Sequence, residues 1–164
     1  MNYKIYKMIF KQGVHFGDHS LEKSEITFQA DTLFSALCIE ALKIDKLDEL
    51  LESVKENHLV FSDAFPYMGQ EFFIPKPMKK IEQVVQSEDV TTRKKFKKLE
   101  YIQVSLLDKY IKGQYPINKG SDIKKLGIHV LKTSASIRGN EEALPYRVGI
   151  YRFKKENGLY IVVG

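Results

Sequence analysis

His15 and His19 are the first residues in this chain whose types and spacing could do chemistry. They stand four apart, the spacing at which two imidazoles on one helix face share a zinc ion. Gly17 and Asp18 lie between them, however, in a stretch that reads as a loop bounded by Gly13 and Gly17. His58 and His129 are isolated, and the single cysteine, Cys38, falls inside a helical pattern as a packing residue. No further ligands are supplied, so neither a metal nor a cofactor is expected. His15 by itself has a second use. An imidazole can deprotonate a ribose 2′-hydroxyl while a lysine stabilises the developing phosphorane, which is metal-independent RNA cleavage. A lone loop histidine is more often a hydrogen-bonding or stacking group. Ser35 sits within a helix with no histidine near it in sequence, and the chain has no GxxxxGK[ST], GxGxxG or GxSxG. Nucleotide hydrolysis and serine chemistry are disfavoured.

The cations form the other candidate site. Arg93, Lys94, Lys95, Lys97 and Lys98 surround Phe96, five positive charges within six residues. They could neutralise several phosphates and make binding salt-dependent, or simply solvate a helix face. Lys76, Lys79 and Lys80 make a smaller patch. Lys132, Arg138, Arg147 and Arg152 decorate extended segments near the end of the chain, where a hairpin could grip single-stranded RNA through phosphates and stacking. The net charge of +5 fits a polyanionic partner and fits a lysine-rich soluble surface equally well.

Positioning these groups falls to a chain of 164 residues, 43% hydrophobic, with ten Phe and nine Tyr, enough for one domain with a real core. No apolar run of about 18 residues is present, so no membrane partner is expected. The lysine-punctuated start, NYKIYKMIF, lacks the cleavage site of a secretory leader. With one cysteine, a reducing cytoplasm is the expected location.

Asn2 to Lys11 alternates with apolar groups on both faces, the pattern of a central strand. Val14 to Leu42 then carries the His15-Phe16-Gly17 loop, a short extended ITF, and a helix with Asp31 as N-cap and Leu33, Leu37, Ala41 and Ile44 along one stripe. Lys46 to Lys55 predicts a second helix, and His58 to Ser62 a strand. Asp63 to Gly69 reads as a turn and Glu71 to Ile74 as a strand. Met78 to about Arg93 is a polar insertion, Lys94 to Lys112 is helical, and Tyr115 to Lys125 is turn-like. Three strands follow, Gly127 to Arg138, Tyr146 to Phe153 and Leu159 to Val163, with Asn157-Gly158 as a hairpin signal between the last two. This order predicts an α+β fold of the ferredoxin-like (RRM-related) kind. It would be an antiparallel sheet with helices on one face, an insertion at about 78–125 and a β-hairpin. A further helix and strand would complete such a unit.

Three phrases taken in order, VHFG…ITFQADTLFSAL, SDAFPY and FFIPKP, resemble the RAMP-superfamily (Cas5-like) fourth Csm subunit of type III-A CRISPR effector complexes. FKKLEYI with YIKGQ, then PYRVGIYRF and GLYIVVG, extend the resemblance across the chain. It implies a RAMP fold, with residues 1–164 as the N-terminal ferredoxin-like domain and the family's second domain absent. It further implies a non-catalytic subunit that holds the 5′ handle of the CRISPR RNA. Its partners would be the large polymerase/cyclase-type subunit and the backbone RAMP subunits. The residues expected at the RNA are His15, Phe16, Gly17, Lys76, Arg93, Lys94, Lys95, Lys132, Arg138 and Arg147. The alternative is a RAMP endoribonuclease with His15 as general base, and a protein–protein scaffold is the third reading.

Overall fold

The computed structural model describes residues 2–17, 19–78, 90–117, 121–136 and 144–164. In chain order these form β1 (Lys4–Met8), α1 (Ala30–Lys43), α2 (Leu47–Lys55), β2 (Phe65–Met68) and β3 (Glu71–Pro75). They continue with α3 (Val90–Lys97), β4 (Tyr101–Gln103), α4 (Leu107–Ile111), β5 (Gly127–Ser136), β6 (Leu144–Phe153) and β7 (Asn157–Val163). Five strands make an antiparallel sheet in the order β1-β7-β2-β3-β4, and β5 with β6 makes a separate two-stranded ribbon. The architecture is α+β.

The last strand is the centre of the sheet. Tyr160 lies opposite Lys7 of β1 on one side and Phe65 of β2 on the other. Leu159 and Tyr160 are buried, and the Tyr160 hydroxyl donates to the carbonyl of Phe73 at 3.0 Å. Burying one such side chain stabilises the fold by about 2 kcal/mol. A second core forms beyond β3, where Leu99, Ile102, Tyr110 and Tyr115 pack with Ile74, Phe96, Leu106 and Leu107. The Tyr110 hydroxyl satisfies itself on the carbonyl of Pro77 at 2.8 Å.

Several expectations change. Asn2 to Lys11 does hold a strand, but β1 is at an edge, and Ile5 and Tyr6 are half exposed or more. Helix α1 begins at Ala30, with Gln29 at its N-cap position, so Asp31 falls in the first turn. The capping task passes to a distant carboxylate, since Asp63 Oδ1 accepts the amide of Ala30 at 2.7 Å. Of the α1 stripe only Ala41 is buried. His58 to Ser62 does not form a full strand. It runs beside the end of β7 through Val60–Gly164 and Ser62–Val162 hydrogen bonds. The turn-like Asp63 to Gly69 contains β2, with Pro66 buried in it, and the turn itself falls at Gly69, where φ is +58°. Lys94 to Lys112 is not one helix, because β4 interrupts it to pair with β3. Asn157-Gly158 does not join a hairpin of β6 and β7. It opens β7, which pairs with β1 and β2 while β6 pairs with β5.

Candidate nucleic-acid interface

The ribbon and the His-Phe-Gly loop are built as one piece. Val14 and Tyr151 exchange backbone hydrogen bonds at 2.9 and 2.7 Å, which lays the loop along β6. His15 Nδ1 donates to the carbonyl of Gly149 at 2.7 Å. A carbonyl only accepts, so Nδ1 carries a proton. The amide of Gly149 donates to the carbonyl of Leu21 at 2.7 Å, and a Cβ at Gly149 would stand 2.2 Å from the carbonyl oxygen of Glu22. Buried Ser24 closes the loop from behind, accepting the Phe16 amide on Oγ and donating to the carbonyl of Glu25.

This geometry ties up part of the loop. The amides of Val14 and Phe16 are already spent inside the protein. Nor is Phe16 an open stacking surface. Its ring is half-buried, edge-on to Phe10 at 5.9 Å and tilted against Phe28 at 5.0 Å. It belongs to an aromatic ladder that continues from Phe10 to Phe153, Tyr151 and His129. The ladder fixes the ribbon to the end of β1. Gly17 is exposed and lies opposite Ser24.

The basic residues separate into three groups. Lys76 is half-buried and turned inward: its Nζ donates to the carbonyls of Phe96 and Lys97 at 3.1 and 3.4 Å and lies 5.2 Å from the Phe96 ring. It caps the C-terminal end of α3, where a cation meets the helix dipole. Arg93, Lys94 and Lys95 are exposed on α3, while Phe96 stacks on Tyr110 in the second core. Helical spacing spreads those three cations around more than half of the helix, so they do not form one line of charge. Arg138 lies outside the described residues.

The third group converges. Lys132 of β5 and Arg152 of β6 meet Lys11 around a cavity of about 430 Å³, lined also by Phe10, Gln12, Gly13, Ile150 and Phe153. Three cations thus surround one opening beside the Phe10–Phe153 stack, whose centroids are 4.8 Å apart. The loop lies close against the ribbon at Gly13, where a Cβ would stand 2.8 Å from Ile150 Cδ1, the movable end of that side chain. Arg147 does not join this group. It pairs with Thr133 while Lys132 pairs with Val148, so the two cations point to opposite faces of the ribbon. Lys11 and Gln12 escaped the sequence reading. Their signal was a cation and an amide placed just before Gly13, at the end of an apolar alternation.

Burial pushes the Tyr151 and Tyr160 phenols up to about 12, and raises those of Tyr67, Tyr101 and Tyr110. Among the described residues no cluster of His, Cys, Asp or Glu is arranged to hold a metal ion. None of the described helices is long and apolar enough to cross a membrane.

No protein-family model matches the chain. Curated relatives do. A protein of Mycobacterium tuberculosis (strain ATCC 25618 / H37Rv) described as "CRISPR system Cms protein Csm4" is 35% identical over 165 residues, covering 99% of this chain and 53% of that protein. The Csm4 of Streptococcus thermophilus is 34% identical over 168 residues, with the same coverage of 99% and 53%. The chain therefore spans about half the length of the curated relatives it matches. In structure it resembles a chain of a Csm1-Csm4 cassette in complex with AMPPNP, with a TM-score of 0.69 at 21% identity, covering 99% of this chain and 59% of that one. A chain of a Csm3-Csm4 subcomplex of the type III-A CRISPR-Cas interference complex gives 0.58 at 12% identity, covering 99% and 57%. The resemblance first read from VHFG to GLYIVVG is thereby borne out: over 99% of its length, this chain is similar to about half of a Csm4 protein.

Proposed function

We propose that this chain is the N-terminal, RNA-holding part of a non-catalytic subunit of a type III-A CRISPR–Csm complex. It would serve antiviral defence in the cytoplasm, with the 5′ handle of the CRISPR RNA as ligand. The observation that carries the reading is the convergence of Lys11, Lys132 and Arg152 on one cavity beside the Phe10–Phe153 stack. Phosphates want clustered cations, and unpaired bases want an aromatic edge or face nearby. The fold supports the reading too. β1 and β2 are both antiparallel to the strand between them and are linked through α1, as in the first half of a ferredoxin-like RAMP domain. Its similarity to chains from Csm1-Csm4 and Csm3-Csm4 assemblies supports docking on the large polymerase/cyclase-type subunit and on a backbone RAMP subunit.

The test is co-purification of the tagged protein with the other Csm subunits and a CRISPR transcript, followed by filter binding across a salt series. Three phosphate contacts to single-stranded RNA predict a log–log slope of roughly −2, since each contributes about 0.7. Assembly that proceeds without CRISPR RNA and without the large subunit sinks the proposal. Salt-insensitive binding would favour a protein scaffold.

One observation favours the endoribonuclease as second reading. The His15–Gly149 hydrogen bond engages Nδ1 on an exposed residue, so Nε2 is the nitrogen that a general base would use. Incubation of the purified protein with repeat RNA in chelator separates the readings. Cleavage abolished by His15→Ala supports the enzyme, and intact RNA removes it.

A further inference from the structure

Asn157 does more than open β7. Its side-chain Nδ2 donates to the carbonyls of Lys125 and Leu126 at 3.2 and 3.0 Å. The amide of Lys154 donates to the same Leu126 carbonyl at 3.0 Å, and the Asn157 amide closes the turn on the carbonyl of Lys154 at 3.1 Å. From the sheet side, the amide of Gly69 donates to the carbonyl of Glu156 at 3.0 Å. Glu156 sits at φ +67°, a conformation that a residue other than glycine keeps only where its surroundings hold it. Leu126 is completely buried. The turn from Lys154 to Asn157 is thus fixed by the segment before β5, by the turn between β2 and β3, and by its own hydrogen bond. It is a rigid support for whatever side chains it carries.

What it carries is positive charge. Lys154 and Lys155 are exposed on the turn, and Lys124 is exposed just before the Lys125 and Leu126 carbonyls that the turn grips. These lysines are far apart in sequence and are brought to one corner, the foot of the β5–β6 ribbon. Among the described residues none of the three forms an ion pair. Glu156 is the one carboxylate of the turn, whose sequence Lys-Lys-Glu-Asn offers no apolar side chain to a protein partner. The corner also continues the cavity described above. Residues two apart on a strand share a face, and Lys154 follows Arg152 at that spacing. Its contact with Leu126 carries the β5–β6 register one step past the Gly127–Phe153 pair. Lys132 lies opposite Val148, so it stands about 20 Å from Lys154 at about 3.3 Å for each residue. A stacked strand of about six nucleotides, at roughly 3.4 Å each, spans that distance.

We infer that Lys124, Lys154 and Lys155 form a second phosphate site at the foot of the ribbon, which grips the backbone of the same RNA strand beyond the cavity. The inference rests on the RNA reading of the cavity and gives that strand a path, from Lys132 past Arg152 to the turn. A lysine ammonium meets phosphate as a point charge and reads no base. The second site therefore lengthens the footprint and steepens the salt dependence without adding sequence preference.

Filter binding of the full gene product to CRISPR RNA across a salt series is the test. Each phosphate contact to a single strand contributes about 0.7 to the log–log slope, so Lys124→Ala, Lys154→Ala and Lys155→Ala combined should lower the slope by about 2. Arginine at the same three positions should retain it, because the charge is kept. Thermal melts of both triple variants should match the parent, since all three side chains are exposed. A slope that the triple alanine variant leaves unchanged, while Lys132→Ala with Arg152→Ala lowers it, overturns the second site and spares the cavity. A loss of slope that arginine does not restore also overturns it. A slope that neither set of substitutions changes overturns the RNA reading and this inference together.

Discussion

His15 Nδ1 and the carbonyl oxygen of Gly149 are 2.7 Å apart across 134 positions of sequence. This one bond makes the loop after β1 and the strand β6 a single hydrogen-bonded unit, and it sets the tautomer of the imidazole. Under the binding reading its work is to hold the loop in place. His15→Ala should therefore cost about 1 kcal/mol of stability, the net value of one hydrogen bond. It should weaken RNA binding by a few-fold and leave no cleavage activity to lose. Thermal unfolding and binding of the same variant check both parts. A variant of unchanged stability would mean that the bond does not hold the loop.

Gly149 itself offers a sharper perturbation. The Cβ of an alanine there would fall 2.2 Å from the Glu22 carbonyl oxygen, a backbone atom with little freedom to move aside. Gly149→Ala should push the 21–24 segment off β6 and break the Leu21 contact with it. The expected cost is about 1–3 kcal/mol, or roughly 2–4 °C of melting temperature for each kcal/mol. Circular dichroism melts measure it. The loss should appear in the loop amides before those of β7.

Much of the fold was legible in local pattern, and the misses share a cause. Helix α2, strand β3 and the individual strands β5 and β6 follow from period and breakers alone, but the pairing of β5 with β6 does not. Strand β2 was hidden because Pro66 and Gly69 look like a turn, although Pro66 sits buried in a strand and only Gly69 turns. The role of Asn157-Gly158 was misread because it depends on which strand lies beside β7, and its neighbours β1 and β2 are far away in sequence. The site was legible in the same uneven way. Lys132 and Arg152 stood out as cations on strands, but their companion Lys11 became visible only when Gly13 brought the start of the chain against Ile150. Lys76 looked like a phosphate ligand because its capping carbonyls, on Phe96 and Lys97, come 20 and 21 residues later.

That difference between lysines predicts opposite behaviour. Lys76→Ala removes a cap and the packing of its stem on Phe96, so it should destabilise the second core by about 1 kcal/mol. Lys95, exposed on α3, has no such task, and Lys95→Ala should leave the stability within about 0.5 kcal/mol of the parent. Binding reverses the ranking if α3 touches RNA: Lys95→Ala would reduce the salt slope by about 0.7, and Lys76→Ala would leave it unchanged. Denaturant melts paired with a salt series on both variants decide it. Equal melts for the two variants would remove the capping role.

The buried phenols set an alkaline limit. Tyr151 and Tyr160 hold their protons to about 12 in the folded chain, through burial, while an unfolded chain releases them near 10. Above pH 10 the unfolded state therefore binds fewer protons than the folded state, and stability falls as pH rises. The stabilisation is complete below pH 10 and is lost progressively toward pH 12. The loss is on the order of 3 kcal/mol for each phenol over that range. Tyr160→Phe removes one of these groups and the hydrogen bond to Phe73, so it should lower stability at pH 8 while flattening the decline above pH 10. Denaturation midpoints measured from pH 8 to pH 12 test this directly. A decline that is equally steep in Tyr160→Phe would assign the alkaline loss to other groups.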